Sequence, residues 1–342
     1  MRWPATYTAS SLLLVIAAGM TLSLISGAMA LPAKESLLAL FDHITGWQQP
    51  LSQLAPHEQV VVMELRLPRL LLALFVGFIL AQCGAVMQGL FRNPLADPGI
   101  IGVSSGAAVG AIVAIVLFPL AWGAWTIPAS AFVMGLLTTL LVYGLAQSKQ
   151  GTSVLILLLA GVAIAAFAGA AIGFLSYFAD DQSLRQLTTW QMGSLTGANS
   201  ANLWLAFATA VILAVAFQSR AAALNALLLG EAEARHLGIA VERLKLELIA
   251  LTAVGVGVTV ACAGIIGFIG LVVPHLVRLT TGPNHLTLLP LSGLLGAALL
   301  MIADLLARTL VQPAELPVGL LTALLGAPFF LALLIQQRKQ WS

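Results

Sequence analysis

Two arginines three residues apart stand at the head of an apolar run, in the segment Arg66-Leu67-Pro68-Arg69. A guanidinium group is permanently charged and matches a carboxylate as a two-pronged fork. The chemistry this spacing offers is therefore recognition of acids. Far along the chain, Asp304 and Arg308 are four residues apart, which puts them on one helix face. They can pair with each other, or Arg308 can join Arg66 and Arg69 in one basic cluster. A charge at the centre of a bilayer costs about 2.5–3.5 kcal/mol on insertion scales, and the position of this pair near the end of its apolar run lowers that cost.

A third charged stretch, residues 229–239, is helix-forming and is stopped by Gly238. It reads either as a solvated connecting helix or as a docking surface for a soluble partner. Catalytic signals are missing. No Gly-x-x-x-x-Gly-Lys-Ser/Thr occurs, so the chain has no P-loop and is not expected to hydrolyse ATP. His43, His57, His236, His275 and His285 lack paired ligand spacing, so no metal site is expected. Cys83 and Cys262 lie in apolar runs and read as packing residues.

The elements that must position these groups are membrane helices. Only 8% of the 342 residues are charged and 60% are hydrophobic, whereas soluble domains carry about 25% charged residues. A water-soluble globular domain is excluded. Ten stretches are long and apolar enough to cross a bilayer: 11–31, 67–90, 95–117, 125–146, 154–175, 203–217, 246–262, 265–279, 288–310 and 318–335. The first is about 20 residues, longer than the roughly 7–15 of a signal peptide's apolar region, so it reads as an uncleaved helix. The expected fold is all-α, a single polytopic domain over 1–342 with a cytoplasmic segment at about 218–245. No loop is long enough for a soluble domain.

With the N-terminus inside, Arg2, Arg92, Lys149, Arg220, Arg235, Arg243, Lys245, Arg278, Arg338 and Lys339 fall on the inner side. Lys34, Arg66, Arg69, Arg185 and Arg308 fall on the outer side. Ten cations against five support that orientation, with both termini cytoplasmic. Arg66 and Arg69 then break the positive-inside tendency, which calls for acids to meet them. A faint internal match, Arg66-Leu67 to Cys83-Gly84 against Arg243-Leu244 to Cys262-Ala263, would enter the membrane from opposite sides, as an inverted repeat would.

Gly102, Gly106 and Gly110 recur every four residues and mark a face for close helix approach. Just before them, residues 93–99 break the helix with two prolines, as a turn or as a narrow point of a pathway. The outer segment 176–194 mixes aromatics, acids and Arg185; Tyr177 and Trp190 suit an interfacial belt.

Together these residues resemble the permease subunits of type II ABC importers, the FecCD-like family that handles ferric siderophores, haem and cobalamin. The resemblance rests on Arg66-Leu67-Pro68-Arg69, Gly84-Ala85-Val86-Met87-Gln88-Gly89, the 93–99 segment and Gly102-Val103-Ser104-Ser105-Gly106-Ala107. It extends to the run Gly264–His275 and to Ala314-Glu315-Leu316-Pro317-Val318-Gly319. It implies a ten-helix subunit of the cobalamin-importer-permease kind, pairing with a second copy in the bacterial inner membrane. It also implies two ATP-binding subunits, which would hold ATP and Mg, and a periplasmic binding protein. This chain would hold no cofactor and meet no nucleic acid; membrane lipid would surround it.

By the same resemblance, Arg66, Arg69 and Arg308 would receive acids of the binding protein. Gly230, Glu231, Ala232, Glu233, Ala234, Arg235 and Gly238 would seat in the ATPase. Asn93 and Leu95 would gate the pathway. The other gate loop, residues 151–154, departs from the serine/threonine pattern of the cobalamin member. Segments 180–194 and 223–231 look most like haem permeases, where Arg185 would meet a haem propionate. Ferric siderophore and cobalamin remain alternatives. Readings of other classes are a secondary transporter with Asp304 as its membrane carboxylate, and a receptor or scaffold.

Overall fold

The computed structural model describes residues 3–27, 29, 31–46, 50–118, 123–148 and 151–341, with side chains at the same positions except 333, 334 and 336–341. Arg2, Lys149 and the side chains of Arg338 and Lys339, counted above among inner-side cations, lie outside the described set.

The chain runs through α1 (Ala5–Ile25), α2 (Ala33–Thr45) and α3 (Pro56–Val60), then through a π-helical turn (Val61–Arg66) into α4 (Leu67–Leu90). Next come α5 (Val103–Leu117), α6 (Thr126–Ala146) and a hairpin of β1 (Gln147–Ser148) and β2 (Gly151–Thr152). α7 (Val154–Phe178), α8 (Asp181–Gln191), α9 (Ser200–Leu227), α10 (Glu231–His236) and α11 (Val241–Ala263) follow. The chain ends with α12 (Ile269–Thr281), α13 (His285–Thr309) and α14 (Val318–Trp341). Apart from that antiparallel hairpin, the described regular structure is helical.

Among the described residues, seven helices are long and apolar enough to cross a membrane. Three shorter apolar helices, Val103–Leu117, Ile269–Thr281 and Val318–Ala332, complete a set that coincides with the ten expected stretches. A membrane interior offers no water to an unpaired peptide group, so helices are the solution. The starts of α7, α8, α9 and α13 are capped by side chains. Ser153 accepts from Ile156 N–H, Asp180 from Ser183 N–H, Asn199 from Asn202 N–H and Asn284 from Leu286 N–H.

Several boundaries differ from expectation. α1 lies six residues earlier than the stretch 11–31, because the chain turns extended at Ser26 and Gly27. α12 starts at Ile269 rather than 265, after an unwound passage ending at Phe268 with φ 68°. α9 reaches Leu227 and absorbs about a third of the expected connection 218–245. α2 and α8 are amphipathic helices within the connections 32–64 and 176–202 that hydropathy left blank.

The core is built around α4. Of its most apolar stretch 78% is buried, against 17% for α7. Small residues make this possible. A Cβ on Gly77 would fall on the Gly296 carbonyl of α13, and one on Gly84 on the Gly270 carbonyl of α12. The expected glycine face of α5 packs on α6: a Cβ on Gly106 would come 2.7 Å from the Met134 carbonyl. α4 and α11, the segments of the faint internal match, pack together. Cys83 and Cys262 are free and buried.

Candidate functional site

The chain's charged groups gather at the two ends of the bundle. At one end, the C-terminus of α1, the start of α4 and the C-terminus of α13 converge on Arg66, Arg69 and Arg308. The sequence could not show that the three are neighbours; here they form one cluster, but a buried one, with relative exposures of 5%, 8% and 5%. Arg69 Nε pairs with Asp304 Oδ1 at 2.9 Å and Arg308 Nε with Asp304 Oδ2 at 3.2 Å. Asp304 is 1% exposed. Arg69 Nη1 reaches Glu315 Oε2 at 2.6 Å, and the Glu315 side chain is 42% exposed.

The remaining donors go to the end of α1. Arg66 Nη1 donates to Leu24 O at 2.6 Å and Nη2 to Met29 O. Arg308 donates to Ser23 O at 3.3 Å and Ser26 O at 3.4 Å. The last carbonyls of a helix lack intrahelical partners and carry the negative end of its dipole, so two cations close α1 there. The acids that the arginines call for are thus supplied in part by this chain. Three cations stand against two anions, and Glu315 is the one partner that solvent reaches readily.

At the opposite end stands α10, between α9 and α11. Gly230 enters it with φ 127°, and Gly238 leaves it with φ 82°, both in the region that favours glycine. Ala234 is buried beneath it, while Ala232, Glu233 and Arg235 face outward. Leu229 and Leu237 flank it, 67% and 65% exposed. Under it lies a group that sequence reasoning placed only by its charge. The side chain of Lys245 is 3% exposed and meets Glu231 Oε1 at 2.8 Å and Glu242 Oε1 at 3.2 Å. The signal was present: a cation immediately before the seventh apolar stretch, three residues after an acid.

Asn93 is exposed and Leu95 partly buried in the turn after α4, where Asn93 Oδ1 accepts from Leu95 N–H at 3.0 Å. This end also holds the start of the chain, where Trp3 N–H donates to Thr280 O at 3.1 Å. Arg185 is exposed on α8. It lines a cavity of about 560 Å³ with Gln186, Thr189, Trp190, Asn199 and Asn202, among others. Solvent-exposed Asp180, the N-cap of α8, has its carboxyl held below the usual range by hydrogen bonds from Ser183. Among the described residues no group of three His, Cys, Asp or Glu side chains is placed to hold a metal. His285 is engaged by Asn225 Oδ1, 3.0 Å from Nδ1.

Comparison with known proteins gives this arrangement its setting. The "Hemin transport system permease protein HmuU" of Yersinia pestis is 49% identical over 82% of this chain and 84% of its own length. The "Vitamin B12 import system permease protein BtuC" of Vibrio cholerae is 44% identical over 85% of this chain and 87% of its own. The solved structure described as "An inward-facing conformation of a putative metal-chelate type ABC transporter" superposes with a TM-score of 0.83 at 34% identity, covering 95% of this chain and 98% of that one. The model of the FecCD transport family matches residues 13–336. A bundle of apolar helices with charged clusters at its two ends is the permease part of such a machine, and this chain belongs to the FecCD transport family.

Proposed function

We propose that two copies of this chain form the pathway of an importer that carries haem across the bacterial inner membrane. Both termini lie in the cytoplasm, two separate ATP-binding subunits sit under α10, and a periplasmic binding protein docks at the arginine end. The observation that carries the reading is the separation of the charged groups into two clusters at opposite ends of one apolar bundle. Each end offers a surface to a different soluble partner. The exposed apolar face of α7, with Leu159, Val162, Phe167 and Phe174, supports a second copy as its cover. Haem is preferred over cobalamin because identity is 49% to the hemin permease and 44% to the vitamin B12 permease. Asp304 argues against ion coupling: a carboxylate clamped by two arginines is not free to load and release a proton or sodium ion.

The testing experiment is haem uptake into vesicles that hold the chain, its ATP-binding partner and a haem-loaded binding protein. Uptake that needs both ATP and the binding protein supports the proposal. Uptake driven by an imposed ion gradient alone would remove it. Stimulation of ATP hydrolysis only by a siderophore- or cobalamin-loaded binding protein would keep the importer and replace the substrate. Arg185→Gln is expected to slow haem uptake by no more than about fivefold, since an exposed ion pair contributes about 0.2–1 kcal/mol. Cobalamin uptake, if present, should not change.

The docking role of the arginines has a sharper test than their removal, because removing Arg69 also strips Asp304. Glu315 occupies the position on Arg69 that a partner's acid would take. Glu315→Gln is expected to tighten binding-protein docking by up to about fivefold and to steepen its loss with salt. Equal or weaker docking, measured by surface plasmon resonance at two ionic strengths, would leave the cluster a purely structural clamp.

A further inference from the structure

The hairpin of β1 and β2 leads directly into α7, the most exposed of the long helices. It does not hang free. Its Thr152 is nearly buried and is gripped from both sides of its peptide unit. Thr152 N–H donates to Glu242 Oε2 at 2.8 Å, and Thr152 O accepts from Lys245 Nζ at 3.1 Å. The same Nζ reaches Glu231 of α10 at 2.8 Å and Glu242 of α11 at 3.2 Å. An ammonium group has three donors and no acceptor. Here the ammonium donates to Thr152 O of the hairpin and to Glu242 in the first turn of α11, and it forms an ion pair with Glu231 of α10, so its acceptors lie on three separate segments.

Arg235 of α10 closes the ring, with Nη2 at 3.2 Å from Glu231 Oε2 and 3.4 Å from Glu242 Oε1. Gly151 leaves room for it, since a Cβ there would lie 2.7 Å from Glu242 Oε1. The turn after α4 approaches the same helix: Arg92, next to Asn93, has Nη1 3.9 Å from where a Cβ on Gly230 would sit.

We infer that Lys245 is a positioning residue that ties α10 to the hairpin of β1 and β2, so that displacement of α10 by the ATP-binding subunit moves the base of α7. This rests on the proposed importer function. A buried cation whose three acceptors lie on three segments resists their separation, because parting any one takes an acceptor from a desolvated charge. α10, the first turn of α11 and the hairpin therefore move as one body, and the force reaches α7 without running the length of α11.

Two measurements test it. In reconstituted complexes, Lys245→Met and Glu242→Gln are expected to retain basal ATP hydrolysis within about twofold, while haem taken up per ATP falls at least tenfold; Lys245→Arg recovers part of it. A merely structural residue would lower hydrolysis, uptake and folded yield together. Should Lys245→Met fail to fold, Glu242→Gln decides. Independently, nitroxide labels at Gln147 and Ala232, both exposed, should keep one separation in the nucleotide-free and ATP-bound complex. Uptake per ATP unchanged in Glu242→Gln, or a 147–232 separation that shifts with nucleotide in the native background, would overturn the link. If the native complex takes up no haem, siderophore or cobalamin with ATP, the importer function itself fails, and the spin-label distance still reports on the link.

Discussion

Replacing Asp304 by asparagine is expected to destabilise the fold by about 3–5 kcal/mol, the usual cost of removing one partner of a buried ion pair. Asparagine keeps the shape and loses the charge. Arg69 and Arg308 would then stand buried side by side, with only Glu315 to balance them. The damage spreads, because Arg308 also closes the end of α1 through Ser23 and Ser26. α1, α4 and α13 would all lose part of their common anchor. The measurement is the thermal midpoint of the detergent-purified protein, followed by tryptophan fluorescence.

The double variant Asp304→Asn with Arg308→Met separates charge from shape. It removes one cation along with the anion, leaves Arg69 to Glu315, and should be milder than the sum of its two single changes by more than about 0.5 kcal/mol. Additive losses would mean that the two residues do not share an ion pair in the folded protein.

This cluster shows where the sequence stops being readable. The arginine pair was conspicuous, and the need for acids followed from the positive-inside tendency. Asp304 was recognised as the helical neighbour of Arg308, yet its second partner is 235 residues away, and no local pattern spans such a distance. The ten apolar stretches were legible because a bilayer demands about 20 apolar residues per crossing. α2 and α8 were not, because an amphipathic helix in a loop has only one apolar face. The four-residue glycine period of α5 predicted a close partner but not that α6 supplies it. Lys245 counted as an inner-side charge; only the fold turns it inward, onto a hairpin more than 90 residues earlier.

Gly84→Ala is expected to do more harm than its one methyl group suggests, beyond the roughly 1–3 kcal/mol of ordinary overpacking. The new Cβ would fall on the carbonyl of Gly270, with Gly270 Cα 2.7 Å away. A side chain in the way can rotate, but a backbone carbonyl inside a helix cannot. α4 and α12 would have to part, and α4 is also packed on α9, α11 and α13. In a membrane, such close packing replaces the hydrophobic drive as the source of helix association, so the loss is not recovered elsewhere. Gly84 and Gly270 both lie in the segments that carried the family resemblance, and their mutual contact gives the physical reason for two glycines there. Gly144→Ala on α6 is the matched control, because a Cβ at that site meets nothing within 4 Å. Alanine should be neutral there or stabilise by about 0.5–1 kcal/mol. Monodisperse yield by size-exclusion chromatography should therefore collapse for Gly84→Ala and hold for Gly144→Ala. Equal yields and equal thermal midpoints would mean that α4 and α12 do not cross at backbone contact.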